Sequence, residues 1–219
     1  MRNPMKSYKT PCALAAVSML LLTGFADESG KGVSPDAALK VISDGNKRFV
    51  AGTPERPNQS PAHRAKVALK QTPHTVVVTC SDSRLSPELI FDQGIGDLFV
   101  VRTAGNTADP ENLGSVEYAT AVLGARLVVV LGHDKCGAVD AAMKGGKLPG
   151  NIPAAVKPIQ RALPKTKISL DEGIAINVKA VEKVLSTKNK MTADMVKSGQ
   201  ITVKGAIYDM ASGTVRFLD

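Results

Sequence analysis

From residue 34 onward the chain alternates between two hydrophobic periods. Ser34-Pro35-Asp36 offers a cap, a proline for the first turn and an acid near a helix N-terminus. Leu39, Val41, Ile42, Phe49 and Val50 then recur at roughly helical spacing as far as Gly52, which predicts a helix. Residues 53–61 hold three prolines and read as a connector, and Ser60-Pro61 opens a second short helix to about Lys70. The period then changes. TVVVTC at 75–80, LFVVR at 98–102 and LVVVL at 127–131 are continuously apolar, β-branched runs, the pattern of strands buried on both faces. Between them, Ser86-Pro87-Glu88 caps a short helix, and Asp109-Pro110-Glu111 starts a longer one that runs to about Leu123 and stops at Gly124.

Strands that alternate with helices predict an α/β fold, a mainly parallel β-sheet flanked by helices. Beyond it, residues 145–153 read as a loop, and Pro153, Pro158 and Pro164 predict only short pieces. Residues 174–185 carry helical spacing, and 192–197 form a short capped helix before Gly199. Residues 201–208 and 214–218 flank Ala211-Ser212-Gly213 and predict a C-terminal hairpin. No internal repeat or linker interrupts 27–219, which reads as one domain.

The first 26 residues follow a different logic. Arg2, Lys6 and Lys9 precede the apolar run CALAAVSMLLLTGF at 12–25, and small residues close it at Ala26. That is the layout of a cleaved secretory signal, with cleavage expected after Ala26. The run is too short for the ~20 residues that span a bilayer, and Cys12 stands at its start rather than at the cleavage point, which argues against a lipid anchor. The mature chain is therefore expected to be exported across the inner membrane, to the periplasm, with no membrane span after processing. Three of the 28 basic residues and none of the 20 acidic ones lie in this leader, so the +8 of the full chain falls to +5. No Lys/Arg cluster interleaved with aromatics remains, which excludes a nucleic-acid footprint. Hydrophobic residues at 43% and charged residues at 22% exclude a disordered chain.

Cys80 and Cys136 survive processing. Compartment alone would pair them in a disulfide; their surroundings point elsewhere. The first apolar run ends in Cys80-Ser81-Asp82-Ser83-Arg84, the third in Gly132-His133-Asp134-Lys135-Cys136-Gly137. Both clusters fall just past the carboxyl ends of buried strands, where open α/β sheets place ligands. Two thiolates and an imidazole form a Cys₂His set that suits catalytic zinc and leaves a fourth position open. Asp82 beside Arg84 adds a carboxylate kept ionised and aimed by its arginine.

At these residues the sequence resembles the β-class carbonic anhydrases. The resemblance rests on CSDSR at 80–84, RTAGN at 102–106, GHDKCGA at 132–138, GNKRF at 45–49 and VKGAIYDMASGTV at 203–215. It implies a β-carbonic-anhydrase-like fold and one Zn²⁺ per chain on Cys80, His133 and Cys136. It implies reversible hydration of CO₂ to bicarbonate and a proton by a zinc-bound hydroxide that the Asp82–Arg84 dyad orients. It also implies that Gln71, nine residues before Cys80, hydrogen-bonds bicarbonate, and that Phe99, Ala104 and Tyr118 line an apolar pocket. Some pocket residues of this family come from the neighbouring subunit, which implies a homodimer or a tetramer of dimers. The chain has no Trp, so the inhibitory bicarbonate site that some members build from Trp, Arg and Tyr cannot form in its usual way. His63 is expected on a solvated helix face and His74 in a structural role. Gly105, Gly132 and Gly137 are expected to serve backbone geometry near the metal. Hydrolysis of CS₂ or COS on the same scaffold, or non-catalytic binding of zinc or bicarbonate, are the alternative readings.

Overall fold

The structure is a computed structural model that describes residues 33–219; the expected signal, residues 1–26, lies outside the described residues. In chain order the elements are α1 (Pro35–Val50), α2 (Pro61–Val67), β1 (Thr75–Thr79), α3 (Pro87–Ile90), β2 (Leu98–Arg102), α4 (Pro110–Glu117), β3 (Leu127–His133), α5 (Gly137–Lys144), α6 (Ile152–Ala162), α7 (Leu170–Lys183), α8 (Lys190–Lys197), β4 (Thr202–Tyr208) and β5 (Val215–Phe217). Both α4 and α7 run on into a wide π-helical turn, Tyr118–Val122 and Val184–Lys188. The sheet order is β2-β1-β3-β4-β5. The first four strands are parallel, and β5 returns antiparallel on β4.

The apolar runs explain the layers. Alternate residues of β1 face opposite sides of the sheet. Val77 packs into one core with Ile42 of α1, Ile90 of α3, Val139 of α5 and Ile159 of α6. Val76 and Val78 pack into the other with Val116 of α4 and Val178 and Val181 of α7. Each of these valines contributes about 1.5–3 kcal/mol by its burial. β2 is the edge strand on this side and is only half-buried.

Three expectations need correction. The third strand runs two residues past Leu131, because Gly132 and His133 pair with Ile207 and Tyr208 of β4. The three prolines do not fragment 152–162, which forms one helix of 11 residues. Pro153 sits in its first turn, where no N–H is needed, and Pro164 lies beyond its end. Pro158 removes one interior hydrogen bond, while buried Val156 and Ile159 pin the helix to the core. Helix α7 begins four residues before the expected Ile174, at a capping box in which Ser169 and Glu172 satisfy each other's backbone N–H groups. The two lone histidines differ. His63 lies half-buried on α2 with Nε2 2.8 Å from the Ile95 carbonyl, less solvated than expected. His74 is wedged between Thr75 Oγ1 and Gln93 Oε1, and burial lowers its pKa.

The GNKRF segment of α1 ties the fold together rather than doing chemistry. A Cβ on Gly45 would fall 1.8 Å from the Phe91 carbonyl oxygen, so only glycine lets α1 approach the end of α3. Asn46 donates to the carbonyls of Ile90 and Gly213 and accepts from the Val215 N–H. Arg48 donates to buried Asp92, which also accepts from the backbone of Glu55 and Arg56. The substitution Asn46→Ala leaves buried backbone groups of three segments without partners. It should cost about 2–4 kcal/mol, read from the urea midpoint at unchanged slope. A loss below ~0.5 kcal/mol, the scale of an ordinary surface substitution, would show the contact to be incidental.

Candidate metal centre

Parallel pairing of β1 with β3 does the assembly. Thr79 is in register with Leu131, so Cys80, one residue past β1, comes level with the end of β3. There His133 is the last strand residue and Cys136 the N-cap of α5. Lys135 turns the chain back between them with φ of +53°. One ligand atom from each of Cys80, His133 and Cys136 lies within 4.8 Å of the others, and all three residues are buried. Both cysteines are free thiols, so the disulfide reading does not hold here.

The donor chemistry fits a soft divalent metal. His133 Nδ1 lies 2.8 Å from the Asp134 carbonyl, which can only accept, so the ring proton sits on Nδ1. Nε2 then presents a lone pair, and it is buried without a hydrogen-bond partner among the described residues. The Cys80 thiol is held below its ordinary value. The hydrogen bond from Cys136 leads, and the Gly105 N–H adds to it against the cost of burial. The same pairing, with burial, pushes Cys136 up. The pair therefore shares one negative charge beside an imidazole lone pair. Two sulfurs and one nitrogen converging in an apolar pocket suit zinc and do not suit magnesium or calcium, which require oxygen.

Asp82 stands two residues beyond Cys80 on the same loop. Arg84 grips it through both ends: Nε to Oδ1 at 2.9 Å and Nη2 to Oδ2 at 2.8 Å. The Arg84 N–H adds a third bond at 3.0 Å. Arg102, at the end of β2, bonds the carbonyls of Cys80 and Asp82 and fixes the loop from the neighbouring strand. The Asp82 carboxyl is held far below the usual carboxylate range, first by the Arg84 guanidinium. Its folded pKa lies below its unfolded value of about 4. The pair's contribution is thus complete above about pH 4 and is lost only as pH falls through the lower folded value. Asp134 was not singled out by sequence. It braces the centre, taking the Met210 N–H on Oδ1 while its own N–H bonds the Tyr208 carbonyl; no motif marks that role.

The remaining expected residues are divided. Ala104 lies exposed on the loop before Gly105, beside Cys80. Gln71, Phe99 and Tyr118 do not reach the cluster within one chain. Gln71 is exposed ahead of β1, at the opposite end of the sheet. Five strand residues, about 16 Å at 3.3 Å each, separate Thr75 from Cys80. Phe99 packs on the face opposite the two cysteines. Its ring centroid is 6.4 Å from that of the half-exposed Tyr118. Gly105 has φ of +78°, as a backbone role requires, and Gly132 is needed because a Cβ there would meet Val178 at 2.5 Å. Gly137 has open space and no special φ, so nothing in the fold demands it. A cavity of about 1150 Å³ lined by Lys70, His74, Arg126 and Met195 opens at the far end of the strands, away from this chemistry.

Comparison with known proteins agrees with the geometry. The family profile described as "Carbonic anhydrase" matches residues 75–215. Carbonic anhydrase 2 of Mycobacterium tuberculosis is 40% identical over 190 residues, covering 82% of this chain and 91% of the relative. The carbonic anhydrase of Mycolicibacterium smegmatis is 40% identical over 192 residues, covering 83% and 92%. Among solved structures, a tetrameric β-carbonic anhydrase from Sordaria macrospora superposes with TM-score 0.65 at 25% identity, covering 80% of this chain and 93% of that one. The Coccomyxa β-carbonic anhydrase in complex with acetazolamide gives TM-score 0.64 at 27% identity, covering 70% and 75%.

Purified protein should retain about one soft divalent metal per chain after gel filtration, read by elemental analysis. Cys136→Ser should lose most of it. Full occupancy in that variant would place the metal elsewhere.

Proposed function

The chain belongs to the β-carbonic anhydrase family, and on that premise we propose that it hydrates CO₂ reversibly to bicarbonate and a proton, with one zinc ion held by Cys80, His133 and Cys136. The observation that carries this reading is the doubly hydrogen-bonded Asp82–Arg84 pair beside a buried Cys₂His set. When bound, zinc lowers the pKa of water to about 7 and so supplies a nucleophile at neutral pH. The chain does the rest. The Asp82 carboxylate, ionised across the neutral range, is an obligate acceptor. It takes the O–H of the attacking hydroxyl and leaves the lone pair to face the substrate carbon. Arg84 occupies the opposite side of that carboxylate and keeps it from rotating or protonating. A retired enzyme would have no chemical need for this pair, which argues against a purely binding role.

The substrate pocket is completed by a second copy of the chain. Gln71, Phe99 and Tyr118 do not approach the cluster in one chain, and β2 leaves a sheet edge unpaired beside exposed Tyr118 and Val122. A parallel sheet edge of this kind is normally covered. A homodimer, or a tetramer built from two, would bring Gln71 to steady the product oxygen and the aromatic pair to wall a dry pocket for an uncharged linear gas. No described helix is long and apolar enough to cross a membrane. The leader read at 1–26 makes the enzyme an exported, periplasmic one.

Stopped-flow CO₂ hydration tests the reaction. Asp82→Asn should lose about 10²–10⁴-fold in turnover while metal content stays at the wild-type value. Undiminished turnover would refute the role of Asp82. Full metal with no CO₂ turnover in wild type, but hydrolysis of CS₂ or COS, would assign the scaffold to those isosteres. Export is tested separately: N-terminal sequencing of the periplasmic fraction should begin at Asp27, and an intact Met1 in the cytoplasm would refute it.

A further inference from the structure

The loop 103–109 crosses the metal centre under constraint from both sides. Gly105 and Asn106 have φ of +78° and +45° in succession. A Cβ on Gly105 would fall 2.4 Å from Ile159 Cδ1 and 3.1 Å from the Ala138 Cβ, so α5 and α6 close on the bare backbone. This lets the Gly105 N–H donate to the Cys80 sulfur at 3.3 Å. One flank of the loop is held by a buried network. Asn112 Nδ2 donates to Thr103 Oγ1, the Thr107 carbonyl and Asp109, while Thr107 Oγ1 donates to Asp109. Thr103 is also bonded through its backbone to Thr79 and Ser81, and the side facing α7 is held by one side-chain bond among the described residues. Asn177, on α7 and 3% exposed, donates Nδ2 to the Gly105 carbonyl at 2.9 Å across 72 residues of sequence.

We propose that Asn177 is a positioning residue of the metal centre: by holding the Gly105 carbonyl it aims the Gly105 N–H at the Cys80 sulfur and sets how much charge that sulfur gives the metal. The inference rests on the reading of Cys80 as a ligand. A backbone N–H on a thiolate withdraws electron density from it, leaving a bound metal more electrophilic. Without the tie, the two-residue left-handed turn can relax and rotate its N–H away. The sulfur then becomes the stronger donor and the metal the weaker acid. Such an outer partner is worth about 10–100-fold in metal affinity or activity. Leucine keeps the branched shape of the side chain but removes the donor that holds the Gly105 carbonyl.

The test loads the purified full-length protein with Co²⁺ and records the thiolate-to-cobalt charge-transfer band, metal retention against a chelator, and the pH midpoint of CO₂ hydration. Asn177→Leu should keep one metal per chain, move the band to longer wavelength and raise the pH midpoint. Turnover near neutral pH should fall about 10–100-fold, while metal retention against the chelator should not fall. Asn177→Asp keeps the side-chain volume but sets an acceptor against the Gly105 carbonyl; it should shift the same readouts the same way and serves if the leucine variant does not fold. Val181→Ala loosens α7 one turn further on without touching Gly105, and should leave band and midpoint at the wild-type values. A wild-type band and midpoint in both Asn177 variants overturns the proposal, as does an equal shift in Val181→Ala. If the wild type itself shows no thiolate band, the ligand assignment fails first and takes this inference with it.

Discussion

Everything at the centre depends on two parallel strands lying side by side. Parallel pairing sets the carboxyl ends of β1 and β3 at the same end of the sheet. Residues 56 positions apart therefore meet without either loop having to reach. An antiparallel partner would have sent one cluster to the far end. Both strands are fully buried, and two-sided burial makes the register expensive to slip. A shift of one residue would turn Val77 into the wrong core and carry Cys80 off the level of His133. The same burial that stabilises the sheet thus fixes the distance between the ligand atoms.

That arrangement places three metal-binding side chains where water cannot compensate them. A buried imidazole nitrogen without a partner and two thiols sharing one charge are unfavourable on their own terms. The surrounding structure meets part of the cost with backbone groups: the Gly105 N–H on Cys80 and the Asp134 carbonyl on His133. A bound cation would meet the rest. Metal binding and local folding are coupled here, because the loops that carry the ligands also carry the bonds that hold them.

The sequence declared its chemistry more fully than its architecture. The three β-branched runs and the C-x-D-x-R and H-x-x-C clusters are local patterns, so they were readable where they stood. What escaped was decided by distant partners. β3 extends through His133 only because β4 offers Ile207 and Tyr208 as neighbours. Helix α6 survives Pro158 because Val156 and Ile159 are buried against α5. The capping box at Ser169 is a local signal that lies ahead of the apolar spacing that starts at Ile174. The spacing of Gln71 to Cys80 says nothing of the strand that holds the two at opposite ends of the sheet.

That last separation has a physical logic. A strand that delivers a ligand at its carboxyl end must hold the residues just before it at its amino end. No rearrangement of one chain brings both to the same point. In the proposed assembly, a second copy of the chain would supply the Gln71 beside this Cys80. The unpaired edge of β2 and the tilted Phe99–Tyr118 pair lie on the side of the sheet where such a copy would meet it. The metal-binding side chains and Gln71 therefore sit at opposite ends of the sheet within one chain. All three candidate metal ligands come from one fold, so enclosing the substrate is the part of the site that the proposed second copy would have to supply.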